Sequence, residues 1–426
     1  MTAAILRAGA RTFLSVRKHR NYRLFFTGQV VSVTGTWMQN IAMYWFVLSL
    51  THDPFAIGIL SFCRFGPFTV FGLMSGVIAD RLDNRKTVIV TQSVQMVLGA
   101  LLAVDVLTGH ATAWHVYVIA ALTGTALVLD APARQGMTFQ MVGRDELSNA
   151  VALNSTIFNL GRVVGPAIGG LVIAAVGVGW CFAANAVSFL AVLTSLVMMR
   201  PSEMFPLARR ARPTMIRGIR EGLSFAKHSR GVLVILGMMV VFASLCFNFS
   251  ILLPVLAKQT LSAGPRTFGI LSAAFGLGAL AGALTAAASS RASWKTMFVG
   301  AVGFAVTELA IAPVRSVPVD VALLFVCGIF FTSYTANSNA RIQLDTPDHL
   351  RGRVLSLYYY AWNGIAPLGA LIIGWLSARG GTELAFGVAG AAGLAMAGLG
   401  AIALKRPQAL PPAAEELAEP GEALAA

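Results

Sequence analysis

Twelve stretches of about 20 apolar residues alternate with short polar segments along the chain, at roughly 24–50, 55–79, 87–108, 113–133, 147–175, 179–199, 231–257, 266–290, 294–313, 318–340, 353–378 and 382–404. About 20 residues of α-helix cross a hydrocarbon layer, so each stretch predicts one membrane-spanning helix. The first 23 residues carry basic side chains and no apolar core. No cleavable leader is therefore expected, and the first span itself directs insertion. The longest polar stretch, 201–230, divides the spans six and six. Around it the sequence repeats weakly. Leu14, Ser15, Lys18 and His19 recur as Leu223, Ser224, Lys227 and His228; Gln140, Leu147 and Val151 recur as Gln343, Leu350 and Val354; Pro166 recurs as Pro367. The offsets of 209, 203 and 201 drift as loop lengths would make them. The pattern predicts an all-α polytopic membrane protein of two pseudo-symmetric six-helix bundles, related by an axis along the membrane normal. The expected organisation is an N-terminal segment (1–23), a first bundle (24–200), a connecting segment (201–230), a second bundle (231–404) and a tail (405–426).

Composition agrees, with 56% hydrophobic and 12% charged residues and a mean hydropathy of +0.72. Charge placement adds orientation. Of the 32 lysines and arginines, 26 fall on the side of the N-terminus, four (Lys258, Arg266, Arg315, Arg379) on the other, and two (Arg64, Arg162) inside predicted spans. By the positive-inside rule both termini are expected in the cytoplasm. The same bias explains most of the net charge of +14, and no segment outside the spans is long enough to form a basic nucleic-acid-binding domain. The tail around Glu415, Glu416, Glu419 and Glu422, rich in Pro and Ala, predicts disorder. There is no GxxxxGK[ST] phosphate loop and no HExxH pair, so neither an enzyme nor a nucleotide-driven pump is expected. Cys63, Cys181, Cys246 and Cys327 lie in different spans at no ligand spacing, which predicts packing roles and neither metal nor cofactor.

Two segments stand out. Gly161, Gly165, Pro166, Gly169 and Gly170 in GRVVGPAIGG would weaken a soluble helix, but in a bilayer small residues three and four apart form a groove for a neighbouring backbone and Pro166 bends the helix. Helix eight offers a complementary run, Ala273, Gly276, Ala279, Ala281 and Gly282, and is the expected partner. In GVIADRLDNRK, Gly76 permits close packing at the end of helix two, and Asp80 suits the positive N-terminus of a neighbouring helix, expected to be helix eleven near 353–357. Arg81 or Arg85 is expected to pair with Asp130 on helix four, where Arg134 follows one turn later.

The GRVVGPAIGG segment resembles motif C of the major facilitator superfamily of secondary transporters, and GVIADRLDNRK resembles its motif A, with Asp83 and Asn84 departing from the pattern. Together with the runs 20–45, 149–170 and 349–358, this identifies the chain as similar to the bacterial drug and siderophore exporter branch, over nearly all of the membrane region. The resemblance implies a monomeric transporter in the bacterial cytoplasmic membrane that exports a small anionic or amphipathic compound by proton antiport, with motif A acting as a gate. A lipid-handling or uptake carrier is the alternative on the same fold. Many relatives carry an acid before the helix-one tryptophan, whereas Thr36 precedes Trp37 here.

All six histidines fall in loops or at span ends, which leaves Asp105, Asp130 and Glu308 as candidates to carry the proton. Asp105 also suits a solvated surface, Asp130 a structural pair, and Glu308 a peripheral helix. Arg64 and Arg162 lie too deep to reach water easily and suit either an anionic substrate or a buried carboxylate. Gln39, Asn40, Asn159, Asn248, Trp362 and Asn363 sit at mid-depth and complete the candidate substrate cavity.

Overall fold

The computed structural model describes residues 12–79, 81–206, 215–288 and 292–405. After a short helical turn, Leu14–Lys18, come α1 (Arg20–Thr51), α2 (Pro54–Ala79), α3 (Asn84–Leu107), α4 (Ala113–Val142), α5 (Leu147–Val176) and α6 (Val178–Val197). A connecting helix, Met215–His228, leads to α7 (Arg230–Thr260), α8 (Pro265–Ala288), α9 (Trp294–Ile311), α10 (Val317–Leu344), α11 (348–379) and α12 (382–405). By length and composition ten described segments can cross a membrane, the stretch Asp348–Lys405 counting once. Gly380 and Gly381 break that stretch in two, Gly381 at φ 65, a conformation that side chains with a Cβ adopt at a cost. Helix α1 is long enough at 32 residues, and Gln29, Ser32, Thr34, Thr36, Gln39 and Asn40 only dilute its hydropathy. The chain thus crosses twelve times. Both ends of the described chain lie on one face, the terminal face.

The expected spans match, except that α4 and α10 run further, to Val142 and Leu344. Pro132 therefore lies inside α4, and Asp130 is three turns from its end instead of one. The reason is local: residues 134–142 alternate polar and apolar side chains, which hides a helix that packs on α1, α3 and α5 instead of lipid.

The two bundles repeat each other's packing. In the first, α1 packs on α5 and α6, α2 on α4, and α3 on α4 and α6; in the second, α7 packs on α12, α8 on α10, and α9 on α10 and α12. Across the bundles α5 meets α8, α2 meets α11, and α1 and α2 meet α7. The outer stripe of α3, formed by Val90, Val94, Val97, Leu101 and Val104, is between 42% and 61% exposed. So long an apolar stripe belongs in lipid.

Helix α7 is irregular. Phe242–Cys246 forms a π-helical turn, Phe247 and Asn248 leave the helix, and Phe249–Val255 resumes it. The Asn248 amide donates to the Ser244 carbonyl at 2.7 Å, restoring a bond that the π turn frees.

Candidate functional site

Glycines close the molecule at the face opposite the termini. Gly170 of α5 meets Gly269 of α8 backbone to backbone: a Cβ on Gly170 would sit 2.8 Å from the Pro265 carbonyl and 2.9 Å from the Gly269 Cα. Gly58 of α2 likewise meets Ala370 and Gly374 of α11. At mid-depth the Thr69 hydroxyl donates to the Gly364 carbonyl at 2.7 Å, where α11 is broken, and the Tyr360 hydroxyl donates to the Thr69 carbonyl at 2.9 Å. Toward the terminal face the bundles separate. The stripe of α5 that is buried at Val163, Pro166 and Gly170 continues as Asn159, half-buried, and then Ala152, Ser155 and Thr156, exposed. The cavity between the bundles therefore opens at the terminal face.

Helix α8 packs on GRVVGPAIGG as expected, but it is not the partner of every glycine in it. Gly161, Gly165 and Gly169 face α1 within the same bundle, against Val33, Trp37, Thr34, Met38 and Ile41. Of the five motif positions Pro166 and Gly170 reach α8, where they meet Gly269, while Arg162 and Val163 between them meet Gly276. Gly282 of the expected complementary run packs on Ile329 and Thr332 of α10 instead, and the Ala279 carbonyl accepts from Thr332. Two faces of one small-residue helix therefore serve two different contacts, and spacing alone gives no sign of which glycine faces which.

At the centre, Arg162 projects from mid-α5 between the bundles. Its guanidinium carbon lies 6.0 Å from the ring of Trp37 (α1), 5.0 Å from Phe275 (α8) and 4.9 Å from Phe331 (α10). Among the described residues no acid pairs with it. Cation–π contact attracts the ion but does not neutralise it. The rings continue outward: Phe331 lies 4.8 Å from Phe247 and 6.2 Å from Trp362. Arg64 is also buried, at 7% exposure, with Nη1 3.8 Å from the Met43 sulfur. It points into the first bundle, away from the Arg162 cage.

Other candidates spend their polar groups locally. The Gln39 carbonyl accepts from Asn185 of α6 at 2.7 Å; the Asn159 amide donates to Ser155 in its own helix and the Asn363 amide to Tyr359 in its own. Gln39 and Asn248 are buried within their own bundles, whereas Asn159 and Asn363 are half-buried, Asn159 on the stripe of α5 that runs into the cavity. The Asn40 carbonyl oxygen is buried without a hydrogen-bond partner. Trp362 belongs to the aromatic wall. Trp37, Phe275 and Phe331 were not legible as cavity residues, because a ring in an apolar run looks the same whether it meets a cation or a leucine.

Near the terminal face, Asp130 is 1% exposed and fully bonded. One oxygen accepts from Thr91 at 2.7 Å and Gln92 at 2.9 Å, the other from Arg134, which also donates to Gln29. The expected pairing with Arg81 or Arg85 does not form: Arg85 reaches across to the Leu196 carbonyl at 2.9 Å, and Arg134, one turn along α4, is nearer to Asp130 than any loop residue. Asp80 lies outside the described residues, as does the side-chain environment of Gly76. The first turn of α11 carries its own acid, Asp348, 2.5 Å from Arg351, and Arg353 pairs with Glu221 of the connecting helix. Asp105 pairs with His115 at 2.8 Å at the opposite face. Glu308, expected on a periphery, is wholly buried with no nitrogen or oxygen donor bonded to its carboxyl group.

The N-terminal turn is strapped to the start of α5. Lys18 and His19 both bind the Glu146 carboxylate, and the Ser15 hydroxyl donates to Asn149 at 2.8 Å. The Lys18 hydrogen bond, then that of His19, holds Glu146 below the ordinary carboxylate range, and Glu146 holds Lys18 above its usual value. A depressed acid supports the folded contact above its unfolded pKa and loses that support as pH falls through the folded pKa; a raised lysine loses it as pH rises through its own folded pKa. Hydrogen exchange of residues 12–19 in the purified protein should be slow at neutral pH and rise at both extremes. Exchange that stays flat into acid would remove Glu146 from the strap.

The model of the transmembrane secretion effector family matches residues 12–421. The staphyloferrin A transporter of Staphylococcus aureus (strain NCTC 8325 / PS 47) is 27% identical over 363 residues, covering 82% of this chain and 88% of that one. The enterobactin exporter EntS of Salmonella choleraesuis (strain SC-B67) is 28% identical over 371 residues, covering 85% and 87%. A solved POT family transporter in complex with 5-aminolevulinic acid superposes with a TM-score of 0.73 over 90% of this chain and 96% of its own, at 11% identity.

Proposed function

Because this chain belongs to the transmembrane secretion effector family, in the siderophore and drug exporter branch of the major facilitator superfamily, we propose that it exports a small anionic amphipathic compound across a bacterial inner membrane in exchange for protons. In this reading both termini are cytoplasmic, so the cavity that opens at the terminal face accepts its cargo from the cytoplasm. Alternating access then closes that face and parts the glycine contacts at the other.

The observation that carries the reading is Arg162. A half-buried cation in mid-membrane with no acid beside it among the described residues lacks a counter-ion that cargo can supply. Its frame of rings suits the apolar part of the same molecule. The rings come from both bundles, Trp37 from the first and Phe275 and Phe331 from the second. Rocking of the bundles must therefore change the cage, which gives bound cargo different contacts in the two states, as coupling requires.

The test is uptake into everted vesicles, with and without a proton gradient, of enterobactin, staphyloferrin A, erythromycin and a lysolipid. Gradient-dependent accumulation of an anionic probe is expected. Arg162→Gln should lower it by about 10- to 150-fold, the equivalent of about 1.5–3 kcal/mol for a hydrogen bond to a charged group, and Arg162→Lys should recover part. Full transport by Arg162→Gln would overturn the reading, and lysolipid movement indifferent to the gradient would favour the lipid-handling alternative.

A further inference from the structure

Among the described residues two carboxyl groups are buried with no nitrogen or oxygen donor bonded to either oxygen, Glu308 and Asp320, and both lie in the second bundle; the one polar group beside Glu308 on α7 is the Cys246 thiol. Each residue is 0% exposed. The remaining described acids of that bundle, Asp345, Asp348 and Glu383, are ion-paired. Burying a carboxylate without a partner costs several kcal/mol, so a site like this holds the neutral acid, and keeps it only if the proton has a use.

The two acids are stacked in depth along the seam of α9 and α10. Gly303 packs against Phe330 and Gly300 against Tyr334, so the antiparallel register brings Glu308 level with about residue 325. Asp320 lies five residues nearer the opposite face, roughly 7 Å at 1.5 Å per residue. It occupies the first turn of α10, next to the loop that ends at Ser316.

Around Glu308 there is no compensating charge. α7 presents Cys246 and α10 presents Cys327, while the facing part of α12 offers only Ala389, Gly390 and Gly393. The hydroxyl of Thr307 bonds back to the Gly303 and Phe304 carbonyls, and the Cys246 thiol donates to the Ala389 carbonyl at 3.2 Å. Cys246 closes the π-helical turn of α7, and the next residue, Phe247, touches Phe331 of the Arg162 cage. A continuous set of contacts thus runs from Arg162 through Phe331, Phe247 and the π turn to Glu308. π turns inside α-helices recur at functional sites because they leave the helix able to shift by one hydrogen bond.

We propose that Glu308 is the group that carries the transported proton, loaded from the opposite face through Asp320, and that the π turn of α7 links its protonation to the Arg162 site. The inference rests on the exporter reading for its purpose but not for its test. One proton enters at Asp320, passes to the Glu308 carboxylate to give the neutral acid, and leaves toward the terminal side when α7 moves and water reaches the group. No charge remains beside Glu308 while that seam is sealed.

Two measurements on the purified protein separate this inference from the transport reading. The first needs no cargo: proton uptake by the protein in detergent on stepping the pH, read with a pH dye, with the fluorescence of the tryptophans, Trp362 among them, followed in parallel. Glu308→Gln should take up one proton fewer than wild type and lose the accompanying fluorescence change, and Glu308→Asp should keep both with a shifted midpoint. Asp320→Asn should slow the uptake by at least tenfold without removing it. The second is efflux of enterobactin from proteoliposomes. Glu308→Gln should exchange the probe within about twofold of wild type at equal pH but lose at least tenfold of gradient-driven efflux. Unchanged proton uptake in Glu308→Gln and Glu308→Asp would overturn the assignment. If the wild type moves no probe, the exporter reading falls with that probe, and the uptake measurement still decides the role of Glu308. If Glu308→Gln does not fold, the midpoint in Glu308→Asp decides it: an unshifted midpoint overturns the proposal.

Discussion

Gly170→Val is expected to abolish export while leaving folded protein in the membrane, and Gly165→Val, five residues earlier on the same helix, to remove the folded protein itself. The difference lies in what each glycine faces. A Cβ on Gly165 would stand 2.5 Å from the Trp37 Cβ, 2.8 Å from the Thr34 carbonyl and 3.0 Å from the Met38 amide nitrogen. Those atoms are backbone or the root of a side chain in the same bundle, so nothing can swing aside. Overpacking of this kind costs about 1–3 kcal/mol in a soluble core and more where backbones touch. A Cβ on Gly170 meets Pro265 and Gly269 of the other bundle. In the proposed cycle transport parts this contact, so the clash is relieved by abandoning the closed opposite face. A penalty of about 3 kcal/mol shifts the balance of the two states roughly 150-fold and stalls the cycle. Size-exclusion yield, melting temperature and efflux per folded molecule separate the two variants. Normal export per molecule by Gly170→Val would show that the α5–α8 contact is not part of the cycle, and a normal yield of Gly165→Val would show that the first bundle can absorb the added side chain.

The second large effect is expected at Asp130 and Arg134, in stability and not in coupling. Removing one partner of a buried ion pair costs about 3–5 kcal/mol because the other charge is stranded, against a typical total of about 5–15 kcal/mol. Asp130 is the more deeply buried partner, its side chain 1% exposed against 27% for Arg134. Arg134→Gln should therefore be the worse single change and Asp130→Asn the milder. The pair Asp130→Asn with Arg134→Gln should recover most of the loss, since an amide at each position can still join Thr91 and Gln92 to Gln29. Thermal unfolding in detergent, arranged as a double-mutant cycle, measures this. A stable Asp130→Asn protein that has lost gradient-driven transport would instead make Asp130 the proton carrier and displace Glu308.

The candidate site was unevenly legible. Arg162 could be singled out because a lone cation in the middle of an apolar run is expensive wherever it points. Its cage could not, since Trp37, Phe275 and Phe331 are ordinary apolar residues until three helices from both bundles converge. Asp320 carries no such signal in the sequence, since an acid in the first turn of a helix is expected there on dipole grounds. Its burial without a partner appears only once α10 is packed.

What the chain determines by itself is whatever depends on transfer from water to hydrocarbon and on local backbone chemistry. Twelve spans, their boundaries to within a turn in most cases, the six-and-six division and the packing character of GRVVGPAIGG all follow from the order of apolar, small and polar residues. Tertiary structure alone decided which of those glycines face α1 and which face α8, and that Arg134 and not Arg81 or Arg85 neutralises Asp130. Of the mid-depth amides only Gln39 and Asn248 are buried in their bundles, and Glu308 lies at the meeting of four helices instead of on an outer surface. The physical reason is common to all of these. Partition into a membrane is a property of a segment and sums along the sequence, whereas the rotation of one helix against another is fixed by many weak contacts among residues distant in the chain.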